Sequence, residues 1–323
     1  MDRQKVVISK DLQKALSEAI AECRHDKLFV LVDETTEQFC LPVIAGFSCM
    51  QEAQRIVIGA TDTHKTLDTL SHVWAELQRM GATRHSLLIN LGGGMVTDLG
   101  GFAASTFKRG LEYINIPTTL LSMVDASVGG KTGINFGGLK NEIGVFSCAK
   151  SVILDTTFLK TMDHENICSG YAEMLKHGLI ANEEMLAELL NFDLDVIDYY
   201  QLSRMLADSV QVKERIVDED PTEQGIRKAL NLGHTIGHAF ESYAMKSMRP
   251  ILHGYAVAYG LVCELYLSCV KAGFPVDKMR QVVRFVNENY GKLPITCDDY
   301  PALLELMTHD KKNVGDTINF TLL

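Results

Sequence analysis

Two fold classes are predicted in succession: an α/β domain with a mainly parallel sheet over residues 1–160, and an all-α domain over residues 161–323. The first prediction rests on short β-branched runs that alternate with helical patterns, as in chains that form parallel sheets. The second rests on apolar residues that recur at helical spacing almost throughout after residue 160. The length agrees, since 323 residues correspond to about two domains at roughly 150 residues each.

Strands of the α/β half are predicted where apolar runs are short and bounded by turn residues. These runs lie at 28–32, 55–58, 86–91, 113–116 and 152–154. Residues 65–80 carry apolar side chains at helical spacing, and Gly81 ends that helix. The run at 86–91 is followed at once by three glycines and a second helix that ends near Lys108.

The second half is predicted to be helical with one exception. Helices are predicted at 169–181, 183–190, 200–217, 226–245, 253–272 and 278–290. The exception is a late strand at 317–322. Ligand sites prefer the junction of two domains, so we expect the active cleft between the two halves.

Composition and charge exclude several classes of protein. Apolar residues make up 46% and charged residues 22%, which excludes a disordered chain. The net charge of −10 (31 − 41), with no Lys/Arg cluster, would repel a phosphate backbone, so no nucleic-acid partner is expected. No apolar run reaches the roughly 18 residues of a membrane helix, and no signal peptide is recognised, so no membrane partner is expected. Eight cysteines without a C-x-x-C pair indicate reduced thiols, and we expect a cytoplasmic protein.

The glycine triplet is the first candidate binding feature. Gly92, Gly93 and Gly94 stand at a strand-to-helix junction, where the absence of three Cβ atoms would let a pyrophosphate approach backbone N–H groups. The usual G-x-G-x-x-G fingerprint of dinucleotide-binding domains is absent. The triplet therefore predicts a nucleotide site, with a tight structural turn as the alternative.

A second glycine-rich segment resembles the end of a P-loop but is rejected as one. That motif needs a glycine five residues before the Gly130-Lys131 pair, and Asp125 stands there. What remains is a lysine in a polar loop, followed by Lys140 and Asn141. Such a loop suits a phosphate or carboxylate substrate, or is simply solvated.

The second half carries the densest group of polar residues. Glu173 and Lys176 share one face of a helix because they are three residues apart. Arg227, Asn231, His234 and His238 recur at three- and four-residue steps along another predicted helix, and His253 begins a third. Because such a polar stripe would be costly in an apolar core, we expect it to face a wet cleft.

One glutamate and two histidines match the ligand set of a catalytic zinc with an open position. Spacing alone offers His234 and His238 together as ligands, since residues four apart share a helix face. The alternative is one or two structural histidines with satisfied hydrogen bonds.

Long segments of the chain resemble a known family. They are residues 92–146, GYAEMLKHGLI at 170–180, RKALNLGHTIGHAFE at 227–241, LHGYAVAYG at 252–260 and DKKN at 310–313. In this order they resemble the 3-dehydroquinate synthases, which are sugar phosphate cyclases. The resemblance spans most of the chain and implies the fold of that family.

The resemblance implies the second step of the shikimate pathway, which leads to the aromatic amino acids. In that reaction 3-deoxy-arabino-heptulosonate 7-phosphate becomes 3-dehydroquinate and phosphate, with catalytic NAD and a divalent metal, usually zinc, with cobalt as the alternative. The metal ligands implied are Glu173, His234 and His253. This set overrules the spacing argument, and His238 becomes a substrate-side or proton-relay residue.

The remaining site residues also follow from the resemblance. Those implied for the substrate and catalysis are Asp125, Lys131, Asn141, Lys176, Lys213, Arg227, Asn231, Lys311 and Lys312. Those implied for NAD are Asp33, Asp62, Lys65, Gly92, Gly93, Gly94, Asp98, Thr118, Thr119, Lys131 and Lys140. The Gly-Glu-x-x-Lys segment of the family appears here as Asp62-Thr63-His64-Lys65, which weakens the match at Asp62. Arg109 resembles an arginine that reaches the phosphate site of a neighbouring subunit, which implies a homodimer.

Three other functions compete with this interpretation. A metal-dependent alcohol or glycerol dehydrogenase would keep the fold and the metal but release NADH. Another sugar phosphate cyclase, of the inosose or valiolone type, would keep most of the chemistry. A non-catalytic NAD-binding protein is disfavoured because the ligand and cation sets are both complete.

Overall fold

The computed structural model describes residues 4–137, 139–308 and 317–323. The chain forms two compact units, Met1–Met162 and Asp163–Leu323. Within the described residues, none of the helices combines the length and the apolar character that crossing a bilayer requires.

The first unit alternates strands with helices. Its strands are β1 (Lys5–Ile8), β2 (Leu28–Asp33), β3 (Gln54–Ile58), β4 (Leu87–Gly92), β5 (Glu112–Pro117), β6 (Lys131–Phe136), β7 (Leu139–Phe146) and β8 (Ser151–Leu154). Its helices are α1 (Leu12–Glu22), α2 (Glu34–Phe39), α3 (Leu41–Ala45), α4 (Leu67–Arg79) and α5 (Gly94–Thr106). Six of the strands form one parallel sheet in the order β1-β8-β5-β4-β2-β3.

The sheet confirms the five strands predicted from apolar runs. Every residue of β2, β4 and β8 is buried, as expected for strands that are covered on both faces. Helix α4 begins after Thr66, whose side chain accepts a hydrogen bond from the Thr69 N–H, and it ends just before Gly81. Strand β1 and helix α1, which lie before the first predicted strand, were not predicted.

The strand order contains a reversal that matters for ligand binding. The next strand in the chain after β2 is β3, which lies on one side of β2. Strand β4 lies on the other side of β2, and the strand that follows it, β5, lies further in that opposite direction. The carboxyl ends of β2 and β4 therefore flank a topological switch point, where α/β sheets bind their ligands. Asp33 ends the first of these strands, and Gly92 ends the second.

Strands β6 and β7 form an antiparallel hairpin that was not predicted. Lys131, Lys140 and Asn141 were predicted to lie in a polar loop. Instead Lys131 begins β6, and the other two lie in β7. The prediction of a loop was wrong because glycines and polar residues interrupt the alternation that would have indicated strands.

The second unit is helical. Its helices are α6 (His164–Ala181), α7 (Glu183–Leu190), α8 (Tyr199–Glu219), α9 (His234–Lys246), α10 (His253–Lys271), α11 (Val276–Tyr290) and α12 (Tyr300–Thr308), with a 3₁₀ helix at Ile226–Asn231. Helices α9 and α10 approach closely: a Cβ on Gly260 would lie 2.0 Å from the Gly233 carbonyl oxygen. Their contact continues at Gly237, where a Cβ would lie 2.9 Å from the Ala256 carbonyl oxygen.

Two predictions about this unit were wrong. The helix predicted at 226–245 is broken after the 3₁₀ helix, because Gly233 adopts a left-handed backbone (φ 79°) immediately before α9. Arg227 and Asn231 therefore do not share a helix with the two histidines that follow. The strand predicted at 317–322 is also not found: after Thr317 the described residues form no strand, and the segment bonds to helices instead. The Thr235 hydroxyl donates to the Asn319 carbonyl oxygen at 3.1 Å.

Candidate active site

Three side chains from three helices of the second unit converge on one point. Glu173, in the middle of α6, is completely buried. Its Oε1 lies 3.2 Å from Nε2 of His234, the first residue of α9, and 3.6 Å from Nε2 of His253, the first residue of α10. Its other oxygen, Oε2, accepts a hydrogen bond from the Lys176 ammonium. The structure therefore brings together the three residues predicted as metal ligands, Glu173, His234 and His253.

Hydrogen bonds at the far nitrogen orient both imidazole rings. His234 Nδ1 lies 3.0 Å from the Leu232 carbonyl oxygen, and His253 Nδ1 lies 3.1 Å from Glu241 Oε2. Because both partners are acceptors, we assign the protons to the Nδ1 atoms. In the neutral rings the Nε2 lone pairs then face Glu173, an arrangement typical of metal-binding histidines.

The convergent atoms fit a divalent cation. Among the described residues, Glu173 Oε1 has no hydrogen-bond partner of acceptable geometry, although it is completely buried. In a tetrahedral zinc site with ligand distances of about 2.0–2.2 Å, neighbouring ligand atoms lie about 3.3–3.6 Å apart. The distances from this oxygen to the two Nε2 atoms, 3.2 and 3.6 Å, are close to that range.

His238 lies at the same place. Nitrogen atoms of His234, His238 and His253 all lie within 4.8 Å of one another. The His238 ring centroid is 5.3 Å from that of His234 and 5.8 Å from that of His253. Proximity alone therefore also permits the pair that spacing offered, His234 and His238, and the assignment of individual ligands stays a prediction.

The electrostatics of the site favour a bound cation. Burial opposes ionisation of Glu173, but the Lys176 ammonium and the His234 ring outweigh it and hold the pKa of the carboxyl well below its usual range. Burial lowers the pKa of His234. Burial also opposes a charge on His253, but the carboxylates of Glu173 and Glu241 prevail and raise its pKa to about 10. The protein alone thus holds a proton between two carboxylates, where a metal cation would replace it.

Three cations of this unit are buried near the same helices. Lys176 belongs to α6, Lys213 to α8 and Arg227 to the 3₁₀ helix, and these three elements pack against one another. The Arg227 guanidinium donates to the Pro221 carbonyl oxygen at 2.7 Å. The side-chain amide of Asn231, in the same 3₁₀ helix, donates to a carboxylate oxygen of Glu223 at 2.9 Å. The expected substrate side chains of this unit are therefore positioned by short local contacts.

The glycine triplet of the first unit lies at the switch point. Gly93 precedes the first residue of α5, and a Cβ there would lie 3.2 Å from Thr119 Cγ2. A Cβ on Gly94 would lie 3.1 Å from the Ala126 Cβ. The Thr118 N–H donates to the Gly92 carbonyl oxygen at 3.0 Å, which draws the segment after β5 against the helix start. The first N–H groups of α5 have no partner within the helix, so they can receive a pyrophosphate without interference from side chains at 92–94.

Asp33 lies on the other side of the switch point, at the end of β2, and it also caps a helix. Its Oδ1 accepts hydrogen bonds from the N–H (2.7 Å) and the hydroxyl (3.1 Å) of Thr36, and by these bonds Asp33 caps helix α2. The carboxylate is thereby fixed at the carboxyl end of β2, next to the strand that carries the triplet. This position is the usual one for an acidic residue that binds the ribose of a dinucleotide.

A polar network joins four of the predicted residues. The Lys65 ammonium lies 2.6 Å from Asp98 Oδ2 and donates a short hydrogen bond to Asn141 Oδ1. Asn141 has a left-handed backbone (φ 52°), and its N–H donates a hydrogen bond to Asn135 Oδ1 at 2.9 Å. The Asn135 side chain also donates to Asp62 at 3.3 Å. The network brings residues predicted for NAD (Lys65, Asp98 and Asp62) together with one predicted for substrate (Asn141).

The other predicted residues are less closely tied together. Lys140 lies 3.4 Å from the Asp62 carboxylate on the exposed face of the hairpin. Asp125 lies in a single π-helical turn, Ser122–Ala126, and Lys131 is exposed at the start of β6. Arg109 is exposed after α5, where it and the preceding lysine both have positive φ. Lys311 and Lys312 lie outside the described residues.

Three polar residues of these sites were missed. Asn135 belongs to the network of the first unit, Glu241 orients His253, and Glu264 accepts hydrogen bonds from the backbone at the start of α9. Each acts on a residue that is distant along the chain or in another strand, so spacing carried no signal for it. Glu241 lies within one of the segments that resemble the family, but it had no role assigned to it.

Comparison with known proteins identifies the family. The model for the 3-dehydroquinate synthase N-terminal region matches residues 55–169, and the model for the C-terminal region matches residues 170–313. A protein from Parabacteroides distasonis named 3-dehydroquinate synthase is 56% identical over the whole of this chain and 92% of its own length. The chain belongs to the 3-dehydroquinate synthase family. The resemblance drawn from the sequence is confirmed.

Solved structures agree with this family assignment at the level of fold. A 2-deoxy-scyllo-inosose synthase complexed with carbaglucose-6-phosphate, NAD⁺ and Co²⁺ has a TM-score of 0.85 at 21% identity, over 98% of this chain and 88% of that one. The 2-epi-5-epi-valiolone synthase ValA from Streptomyces hygroscopicus, with NAD⁺ and Zn²⁺ bound, has a TM-score of 0.81 at 25% identity, over 96% of this chain and 88% of that one. The predicted fold class, an α/β part with a parallel sheet and a helical C-terminal part, is therefore confirmed as that of 3-dehydroquinate synthases and related cyclases.

Proposed function

We propose that this chain converts 3-deoxy-arabino-heptulosonate 7-phosphate into 3-dehydroquinate and phosphate, as a phosphate-eliminating cyclase. The proposal rests on membership of the 3-dehydroquinate synthase family and on the 56% identity to a relative of that name. The observation that carries it within the molecule is the convergence of Glu173, His234 and His253 beside the buried Lys176. That arrangement combines ligands for a metal with a cation suited to an anionic substrate.

We assign the metal to Glu173 Oε1, His234 Nε2 and His253 Nε2, and the NAD pyrophosphate to the backbone at the start of α5. When bound, the metal supplies a Lewis acid that acidifies a substrate hydroxyl, and NAD supplies a hydride acceptor that later returns the hydride. Zinc fits the nitrogen and oxygen donors, and cobalt would fit them too. Support comes from the two cyclases whose structures contain NAD⁺ with Co²⁺ or Zn²⁺.

The protein's own contribution is to bind and orient the anionic substrate. In the second unit Lys176, Lys213 and Arg227 are buried cations, so their charge is weakly screened and attracts a phosphate in spite of the net charge of −10. Asn231 can donate or accept a hydrogen bond at a substrate hydroxyl. One ring nitrogen of His238 is assigned to proton transfer beside the metal.

In the first unit we assign the substrate contacts to Asp125, Lys131 and Asn141. Asn141 is held by Lys65 and by Asn135, so its amide orientation depends on the same network as Asp98. The remaining residues assigned to NAD are Asp33, Asp62, Lys65, Thr118, Thr119 and Lys140. Neutralising Lys65 would therefore affect the substrate side as well as NAD.

Phosphate release tests the proposed function. The purified protein is incubated with the heptulosonate phosphate, and phosphate is measured at trace NAD, with and without a chelator. Many turnovers per NAD, abolished by the chelator and restored by zinc, are the expected result. Net formation of NADH in proportion to product would instead support a dehydrogenase.

A sibling cyclase is the closest competing function, because both solved neighbours make other rings. Glucose 6-phosphate in place of the heptulosonate phosphate provides the comparison. Phosphate release from the heptulosonate phosphate alone supports the proposal, whereas release from the hexose phosphate alone contradicts it.

We also propose that the protein works as a homodimer, in which Arg109 of one subunit serves the phosphate site of the other. Support comes from its exposure and from the left-handed backbone at Lys108 (φ 49°) and Arg109 (φ 70°), a strained conformation of the kind that collects at functional sites. Mixing Arg109→Ala with Lys176→Met protein tests this. Activity that appears only after the two variants exchange subunits supports a shared site, and no gain on mixing rejects it.

Finally, we propose that the protein works in the cytoplasm. All eight cysteines lie within the described residues and are free thiols, which suits a reducing compartment. Fractionation of cells that make the tagged protein tests this, with recovery in the cytosolic fraction as the expected result.

A further inference from the structure

A carboxylate on α10 caps the helix that begins with His234. Glu264 is completely buried, and its two oxygens accept three backbone hydrogen bonds from the other helix. Oε2 accepts from the Gly233 N–H at 2.7 Å, and Oε1 accepts from the N–H groups of Thr235 (3.1 Å) and Ile236 (3.2 Å). The three donors lie within four consecutive residues, 233–236, of which only His234 does not donate to Glu264.

The start of α9 requires such a partner from elsewhere. The first N–H groups of a helix have no partner within it, and a side chain at the preceding residue usually accepts from them. Here that residue is Gly233, which has no side chain and a left-handed backbone (φ 79°). Glu264 takes over this role across the interface between α9 and α10, and its negative charge lies at the positive end of the helix dipole.

The capped turn is the turn that orients His234. Nδ1 of this residue contacts the Leu232 carbonyl oxygen at 3.0 Å, so the direction of its Nε2 depends on the backbone around Gly233. One turn before Glu264 on α10, Gly260 lets the Gly233 carbonyl approach to a distance that a Cβ would forbid. The same face of α10 therefore determines where the turn lies and satisfies its N–H groups.

We propose that Glu264 is a positioning residue for the metal centre. It fixes the first turn of α9 so that His234 Nε2 points at Glu173 Oε1, and it does so without contacting either atom. The inference rests on the metal centre of the proposed function and deepens it, because it adds a carboxylate that neither the spacing nor the resemblance indicated.

Glu264→Gln is the decisive variant. The amide keeps the shape of the side chain, but its NH₂ group would face backbone N–H donors, so the turn must shift. We expect the zinc affinity, measured by chelator competition on the metal-free protein, to fall by about 10–100-fold, as it does when a residue that orients a ligand is lost. We also expect the visible absorption spectrum of the cobalt-substituted protein to shift, because the ligand field at the metal changes.

Leu265→Ala is the matched control. Leu265 is the next residue of α10 and is also completely buried, so its truncation should lower the thermal midpoint without moving His234. A parent-like cobalt spectrum and zinc affinity in this variant would separate general destabilisation from positioning. Glu264→Asp keeps the charge on a shorter side chain, and it carries the same test if the Gln variant does not fold.

The outcomes distinguish this inference from the proposed function. If the parent protein binds no zinc, the metal centre is rejected and this inference with it. If the parent binds zinc, and a folded Glu264 variant binds it equally tightly with an unchanged cobalt spectrum, only the role of Glu264 is overturned. Weaker binding and a shifted spectrum in the Glu264 variants, but not in Leu265→Ala, support it.

Discussion

Glu173 and Lys176, one turn apart on α6, form an ion pair in which both side chains are completely buried, at 0% and 1% exposure. The two oxygens of the Glu173 carboxylate have different partners. Oε2 accepts a hydrogen bond from the lysine, whereas Oε1 faces His234 and His253. The lysine thereby keeps the carboxylate ionised in a buried setting, which a metal ligand requires. One ion pair thus compensates a buried charge and would keep Glu173 ready for the proposed metal.

Lys176→Met should destabilise the metal-free protein strongly. Removing one partner of a buried ion pair leaves an uncompensated charge, which typically costs about 3–5 kcal/mol. The free energy of unfolding in urea, measured with a chelator present, should fall by an amount of that order. When Glu173→Gln is added to Lys176→Met, it should lower the free energy of unfolding much less than it does in the parent protein. The double variant has neither member of the ion pair, so it buries no unpaired charge at this position.

The exposed pair Arg284–Glu288 supplies the control for that experiment, since Arg284→Met should change the urea midpoint little. A Lys176→Met protein that unfolds at the parent's urea midpoint would contradict the argument from burial.

Glu173→Gln and His253→Ala should each abolish turnover together with zinc binding. Both remove a proposed ligand atom, so the loss of zinc affinity should exceed the roughly 10–100-fold that follows loss of an orienting residue. Glu241→Gln, which only loosens the His253 ring, should fall within that range. Equilibrium dialysis against zinc buffers, followed by metal analysis, measures all three, with the exposed His72→Ala as control.

His238→Asn decides which histidines bind the metal. If the ligands are Glu173, His234 and His253, this variant should keep its zinc and lose turnover. Loss of zinc as complete as in His253→Ala would make His238 a ligand instead, and the geometry of the three imidazoles is compatible with that result.

Local pattern predicted much of this molecule, and the reasons are physical. The runs at β2, β4 and β8 are buried on every residue, so an uninterrupted apolar run was a sufficient signal. Glu173 and Lys176 were correctly placed on one face of a helix, because residues three apart are neighbours on the helix surface. The resemblance added His253, which no spacing connects to His234.

Non-local effects account for what could not be predicted. The polar stripe from Arg227 to His238 has helical periodicity, but periodicity does not show that Gly233 adopts a left-handed backbone and divides the segment in two. Glu264 looked like one more residue of a helix, because its three partners are 28 to 31 residues away. The hairpin of β6 and β7 consists of two strands that glycines interrupt, and each is fixed by its pairing with the other. The pattern within either strand alone therefore did not indicate it.

Gly93→Ala should weaken NAD binding by about tenfold, which corresponds to about 1.4 kcal/mol. The added methyl group would lie 3.2 Å from Thr119 Cγ2, so the segment after β5 must yield where the pyrophosphate is expected to approach. Isothermal titration with NAD measures the change. The control is Gly46→Ala, where a Cβ meets nothing within 4 Å.

Zinc affinity should be unchanged in Gly93→Ala, since the proposed ligands all belong to the second unit. A parent-like NAD affinity would remove the triplet from the NAD site.

Buried thiols should make the protein sensitive to alkali. Burial raises the pKa of Cys23, Cys40, Cys168 and Cys263 from 9.0 to about 11. Above pH 9 these thiols ionise in the unfolded chain but stay protonated in the folded one, so the unfolded state is favoured as pH rises. The loss of stability caused by these thiols is absent below pH 9, grows up to about pH 11 and does not increase further above that pH.

Alkylation and unfolding together check the thiol prediction. Because only the thiolate reacts, iodoacetamide at pH 8 should modify the exposed Cys297 first, and the buried thiols of Cys23, Cys40 and Cys168 only after denaturation. Urea midpoints between pH 9 and pH 11 should fall less steeply when Cys40 is replaced by Ala, because one ionising group is gone from the unfolded state. Rapid modification of Cys40 in the folded protein at pH 8, or an unchanged slope in the variant, would show that burial does not protect this thiol.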